Sequence, residues 1–152
     1  MARKRREVYS INAGYPPSQQ EYDPKAYPDT YRDHVVSVLH DTPIDGWIFE
    51  LVFRFAIYRG LNVDWAIMIN ARAAVDGAKA ERRPVERIDI CHSEVHCHTF
   101  GRSSDPADEL GERRTIMALV ANDAVKVSRA WDEQMELISR EWPQRVRRWI
   151  DG

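Results

Sequence analysis

An alternation of apolar and polar side chains over residues 47–72 constrains the fold of this chain more than any other feature of its sequence. Successive side chains of a β-strand point to opposite sides of a sheet, so a period of two predicts two half-buried strands. The turn-forming residues 59–62 separate them, and so short a connection predicts an antiparallel hairpin. The predicted core side carries Phe49, Leu51, Phe53, Phe55, Ile57, Val63, Trp65, Ile67, Ile69 and Ala71.

A second hairpin is predicted further along the chain. Residues 85–91 alternate in the same way, and a shorter stretch over residues 95–100 resumes after a break at His92-Ser93-Glu94. Consecutive strands with short connections usually pair as antiparallel neighbours. The sequence therefore predicts a four-stranded antiparallel sheet.

A long amphipathic helix is predicted for the C-terminal third of the chain. Asp105 is a suitable cap, and Pro106 suits the first helical position. Apolar side chains then recur every three or four residues, at Ile116, Val120, Ala124, Val127, Trp131, Met135, Ile138 and Trp142. Because this stripe matches the apolar side of the sheet, the predicted fold class is α+β, with the long C-terminal helix packed on one face of the sheet.

The end of this helix extends past the expected width of a four-stranded sheet. Apolar side chains without a partner in their own chain mark interaction sites, and two-fold dimers are the commonest assemblies. The sequence therefore predicts a homodimer that uses Trp142, Val146, Trp149 and Ile150.

The region before the first predicted strand is expected to hold an arm and a short helix. Residues 1–28 combine a basic run with several prolines, which predicts an extended or disordered arm. Tyr31, Val35 and Val38 then recur at helical spacing, which predicts a short helix. The predicted domain organisation is this arm followed by a single α+β domain over residues 29–152.

Composition excludes several classes of protein. The chain has 22 Lys and Arg against 24 Asp and Glu, a formal net charge of -2, which excludes a globally basic nucleic-acid binder but permits a local basic patch. No apolar run approaches the roughly 20 residues that a membrane span needs, and no secretory signal follows the basic start. Cys91 and Cys97 cannot form a disulfide scaffold, which fits a reducing compartment. These features predict a soluble, cytoplasmic protein.

Residues 89–98 are the most informative for function, because they hold three of the five histidines and both cysteines. With a two-residue loop at 93–94, Cys91 lies opposite His96, and Asp89 lies opposite His98. Directly opposed residues share a face of the sheet, with Cβ atoms about 5 Å apart. One face of the predicted hairpin therefore carries Arg87, Asp89, Cys91, His96 and His98.

Three interpretations of this face remain open. It is a metal site for zinc or another divalent first-row metal, with ligands among Asp89, Cys91, His96 and His98. Alternatively, it cleaves phosphodiesters without a cofactor, with His96 and His98 as the acid–base pair, Asp89 as the orienting carboxylate and Arg87 as the phosphate ligand. The third interpretation is structural, because histidines are ordinary on the wet face of a sheet.

Two further arginines belong to the predicted wet face. Arg54 and Arg72 alternate with the core positions of the first hairpin, on the same side as Asp89 and His96. A guanidinium forms forked hydrogen bonds with phosphate or carboxylate groups. Arg54 and Arg72 are therefore candidate substrate-binding residues.

The order of these motifs resembles the TumE family of small toxins from bacterial toxin–antitoxin systems. In that family, a strand with an R-x-D-N pattern leads into paired histidines and a terminal H-x-H, and Arg87, Asp89, His92, His96 and His98 match by type. The motif is also similar to an H-x-E-V-H-x-H hairpin in small proteins of actinobacteria and their phages. The resemblance implies a toxin–antitoxin or phage-defence protein acting on RNA or nucleotides, with an antitoxin as its partner. The alternative is a non-enzymatic interaction module of bacterial or phage origin.

Overall fold

One antiparallel sheet and one long helix form the part of the chain that a computed structural model describes, which is residues 20–103 and 111–152. The strands are β1 (Tyr31–Val38), β2 (Trp47–Tyr58), β3 (Leu61–Ala73), β4 (Arg83–Cys91), β5 (Glu94–Thr99) and β6 (Glu112–Ala118). Each strand pairs with its neighbours in sequence, so β1 and β6 are the two edges of an open sheet. The helix α1 (Ala124–Asp151) follows β6, and short 3-10 helices occupy Pro24–Ala26 and Ala74–Lys79. None of the helices described is long and apolar enough to cross a membrane.

The α+β class is confirmed, but the sheet has six strands rather than the predicted four. The predicted short helix is the strand β1, since Val35 pairs with Phe53 of β2 in a regular antiparallel ladder. Residues 112–118, which were predicted as part of the long helix, form the strand β6 instead, and α1 begins only at Ala124. The predicted cap at Asp105 and Pro106 lies outside the described residues.

The helix packs on the side of the sheet that the alternation predicted. Trp131 contacts the rings of Phe53 and Trp65, with ring centroids 5.4 and 5.7 Å away. Trp149 packs edge-on against Trp47 and Phe49. The helix therefore covers the apolar face of the sheet, and residues that alternate with the core set lie on the opposite face.

The residues predicted to form a homodimer interface are largely buried within their own chain. Val146, Trp149 and Ile150 belong to the core, and Trp142 stacks on His40. The end of the helix has a partner in its own chain, because Trp149 packs on Trp47 and Phe49 of β2. The homodimer itself stays a prediction, but these side chains do not provide a free surface for it.

Residues 20–28, the last part of the predicted arm, are packed on the domain. The Tyr22 side chain is buried, and its hydroxyl donates a hydrogen bond to the carbonyl of Val63. Burial raises the pKa of Tyr22 above its ordinary value. Tyr27 contacts Tyr58, so both tyrosines fix this segment to β2 and β3. The basic run lies outside the described residues.

Candidate functional site

The β4–β5 hairpin turns at His92 and Ser93, one residue earlier than predicted. Both residues have positive φ, 51° and 59°, as a tight two-residue turn between twisted strands requires. Asp89 therefore lies opposite His96 rather than His98, and Cys91 lies opposite Glu94 rather than His96. Each partner has moved by two positions, so every side chain stays on the predicted face.

Asp89, His96 and His98 form a compact cluster on the face of the sheet away from the helix. One potential ligand atom from each residue lies within 4.8 Å of the others. His96 Nε2 is 2.6 Å from Asp89 Oδ1, and the two imidazole rings meet at right angles with centroids 4.6 Å apart. Both histidines are only 3% exposed. The cluster is therefore buried, unlike the ordinary wet face of a sheet.

The short contact between His96 and Asp89 is not a well-formed hydrogen bond. Asp89 Oδ1 is buried, and it accepts no hydrogen bond of acceptable geometry in the part of the chain that the structure describes. The distance is short enough for a hydrogen bond, but the N–H···O angle is unfavourable, because the ring N–H does not point at the oxygen. A buried carboxylate oxygen without a partner is costly, and such exceptions call for an explanation.

Charged side chains surround the cluster at ion-pair distances. Arg87 Nε lies 3.2 Å from Asp89 Oδ2, and Glu94 Oε1 lies 3.4 Å from His96 Nδ1. Arg113 of β6 forms an ion pair with Glu94, and Thr115 donates a hydrogen bond to it. The shell around the cluster thus consists of one carboxylate, from Glu94, and two guanidinium groups, from Arg87 and Arg113.

Sequence analysis did not single out Glu94 or Arg113 as site residues. Glu94 was predicted to lie in the turn, but it is the first residue of β5. Because it precedes His96 by two positions in the same strand, both side chains lie on one face. Arg113 lies in a segment that was predicted as helix, and only the pairing of β6 with β5 places it opposite His98. No pattern in the sequence gives that pairing.

The other predicted site residues are not part of the cluster. Arg54 forms an ion pair with Asp64, and Arg72 forms one with Glu50, each at 3.6 Å. Arg54 is separated from Asp89 by β3, a cross-strand distance of roughly 10 Å. Cys91 is exposed at the end of β4 and contributes no ligand atom to the group.

His96 and His98, the predicted acid–base pair, lie at one site with Asp89, the predicted orienting carboxylate. The ring centroids of the two histidines are 4.6 Å apart, and one nitrogen of each ring lies within 4.8 Å of the other. The structure thus brings the predicted pair together, and the roles of acid and base stay a prediction.

Cys97 is expected to be unreactive in the folded protein, whereas Cys91 is expected to react. Cys97 packs in the core, and burial together with the nearby Glu86 carboxylate raises the pKa of its thiol to about 11. Below that pH the thiol stays protonated, and the thiolate is the nucleophile. A Cys91→Ser variant should resist alkylation at pH 8 until denaturant is added, as followed by mass spectrometry. Alkylation of the folded variant at the rate of the denatured one would contradict this placement.

Comparisons of the chain with protein-family models, with curated proteins and with solved structures found no match.

Proposed function

We propose that this protein acts on RNA or nucleotides in the cytoplasm, as a toxin or phage-defence protein, with the Asp89–His96–His98 cluster as its reaction centre. The observation that carries this proposal is the burial of two histidines beside a carboxylate on the face of the sheet that does not pack against the helix. Clusters of polar, titratable groups are expensive to bury, and they are typical of functional sites. The resemblance of the hairpin to the TumE toxins supports RNA as the substrate.

Two guanidinium groups supply the expected phosphate contacts. The side chains of Arg87 and Arg113 are 33% and 46% exposed, beside the cluster, and each also touches a carboxylate. An arginine that is held by a carboxylate keeps further N–H donors for a phosphate. In this proposal the cluster activates the attacking oxygen, and Arg87 and Arg113 hold the phosphate. Arg87 keeps the role predicted for it, whereas Arg113 takes the place predicted for Arg54 and Arg72.

Expression in a bacterial host tests this proposal. We expect wild-type protein to slow growth and degrade total RNA, and His96→Gln to abolish both effects. Glutamine is chosen because the buried His96 ring would leave a cavity if replaced by alanine. His34→Gln is the matched control, because His34 is exposed on β1 and lies outside the cluster. Equal growth and intact RNA with all three proteins would contradict the proposal.

An interaction function is the second candidate, because of the exposed edge strand β1. All eight residues of β1 are exposed, and the large apolar side chains among them are Tyr31, Val35, Val36 and Val38. An edge strand presents unpaired backbone donors and acceptors to which another chain can add a strand. An antitoxin or a second copy of this chain is the partner expected there. Intact RNA in the expression experiment would favour this interaction function over the enzymatic one.

A further inference from the structure

We propose that Asp89, His96 and His98 bind a divalent first-row metal ion, for which Zn²⁺ is the best-fitting candidate. The antiparallel ladder places Asp89 directly opposite His96, and His98 follows on the same face of β5. Imidazole nitrogens and carboxylate oxygens are the ligands that such ions take. One atom from each residue already lies within 4.8 Å of the other two, and both histidines are buried.

The orientation of the donor atoms favours a metal over a simple ion pair. His96 Nε2 and Asp89 Oδ1 are 2.6 Å apart, yet they do not form a hydrogen bond, and Asp89 Oδ1 has no other hydrogen-bond partner among the described residues. Atoms that share a metal direct their lone pairs at a common point rather than at each other. A cation bound between them would satisfy the buried oxygen that is otherwise left without a partner.

The outer contacts follow the arrangement that is usual around metal ligands. A ligating histidine almost always directs its second nitrogen to a carboxylate, carbonyl or water, and ligating carboxylates are themselves held by hydrogen bonds or ion pairs. Here the Glu94 carboxylate and the Arg113 guanidinium each lie 3.4 Å from the second nitrogen of His96, and Arg87 lies 3.2 Å from the second oxygen of Asp89. The Asp89 oxygen assigned to the metal is therefore the one that these outer contacts leave without a hydrogen-bond partner among the described residues.

The ligand count and the charge indicate a site that is open to an anion. Three protein ligands with a fourth position for water or substrate are typical of catalytic zinc sites, whereas structural sites are closed by four protein ligands. The charges of Asp89 and Glu94 are balanced by those of Arg87 and Arg113. A divalent ion therefore leaves the site positive, and this charge favours a phosphate group. This last step rests on the proposed function, whereas metal binding itself does not.

Metal content and zinc affinity of the purified full-length protein test the metal site. After dialysis against a chelator and reloading with Zn²⁺, we expect one bound zinc per chain in the wild type and in His34→Gln. Asp89→Asn and His98→Gln should each lose at least tenfold in affinity, measured by competition with a zinc indicator dye. Glu94→Gln should weaken binding by about 10–100-fold, as loss of an outer partner usually does. Circular dichroism establishes that each variant is folded.

Two outcomes overturn the metal site. One is the absence of stoichiometric binding when wild-type protein is offered Zn²⁺, Mn²⁺, Fe²⁺, Co²⁺ or Ni²⁺ in turn. The other is zinc affinity in folded His98→Gln equal to that of the wild type, which would place any bound ion elsewhere. Should the variants fail to fold, the visible spectrum of the Co²⁺-loaded wild type decides, because nitrogen and oxygen ligation in a four-coordinate site gives intense visible bands that aqueous Co²⁺ lacks.

The same samples separate the metal site from the proposed function. Zinc held by the cluster without any RNA degradation supports the metal site and contradicts the RNA function. RNA degradation by chelator-treated protein that binds no metal supports the RNA function and overturns the metal site.

Discussion

Replacing Trp149 by alanine is expected to lower the free energy of unfolding by about 3–5 kcal/mol, as truncation of a fully buried aromatic side chain does. Trp149 is 1% exposed near the end of α1. Its ring meets Trp47 and Phe49 edge-on, with centroids 4.9 and 5.8 Å away, and the Arg83 guanidinium lies over it. The substitution removes the contact that fixes the end of α1 to β2.

Two control variants show whether lost packing causes this effect. Trp149→Phe should cost much less, because it keeps an aromatic ring and because the indole nitrogen makes no hydrogen bond in the described part of the chain. Val125→Ala, at an exposed position of the same helix, should change stability by less than about 0.5 kcal/mol. Urea unfolding measures all three variants. A Trp149→Ala midpoint equal to that of the wild type would show that α1 does not pack as described.

Replacing Arg145 by methionine is expected to destabilise the fold by about 3 kcal/mol or more, because it leaves a buried carboxylate with too little compensation. Glu86 has a side chain only 5% exposed, on the helix side of β4, and it forms an ion pair with Arg145. Arg148 also approaches Glu86, at 3.6 Å, but its side chain is 46% exposed. Methionine keeps an apolar chain like the stem of Arg145, so the loss of stability measures the effect of removing the charged guanidinium group.

The double variant Glu86→Leu with Arg145→Met tests this explanation. Replacing both members of a buried ion pair by apolar groups is often neutral or stabilising, so we expect the double variant to be more stable than Arg145→Met alone. Urea unfolding of the single and double variants gives the coupling energy. A double variant that loses the sum of the two single effects would indicate that Glu86 and Arg145 do not interact.

The central strands could be predicted because their burial is one-sided and periodic. In β3, Val63, Trp65, Ile67 and Ile69 are buried against the helix, and this repeat of two is visible in the sequence. The edge strands carry no such signal. All of β1 is exposed on both faces, so its apolar residues have no burial pattern to reveal, and the spacing of Tyr31 and Val35 matched a helix by coincidence. Strand β6 was missed for the same reason, as only two of its residues are even partly buried.

The candidate site could be predicted as a face but not as a set of contacts. Alternation places Asp89, His96 and His98 on one side of the sheet. A shift of the strand pairing by two residues, as found here, leaves them on that side. The exact pairing depends on His92 and Ser93 adopting positive φ, a conformation that is uncommon for residues other than glycine. The predicted set of site residues lacked Arg113, because this residue lies in the edge strand β6, which the sequence pattern does not indicate.

Cleavage of labelled single-stranded RNA by purified protein tests most directly whether the Asp89–His96–His98 cluster is a reaction centre. We predict that wild type and His34→Gln cleave RNA at the same rate, and that folded His96→Gln is slower by about 100-fold or more, the loss expected when a group that activates the attacking oxygen is removed. A rate for folded His96→Gln equal to that of the wild type, or no cleavage by the wild type at all, would contradict this account.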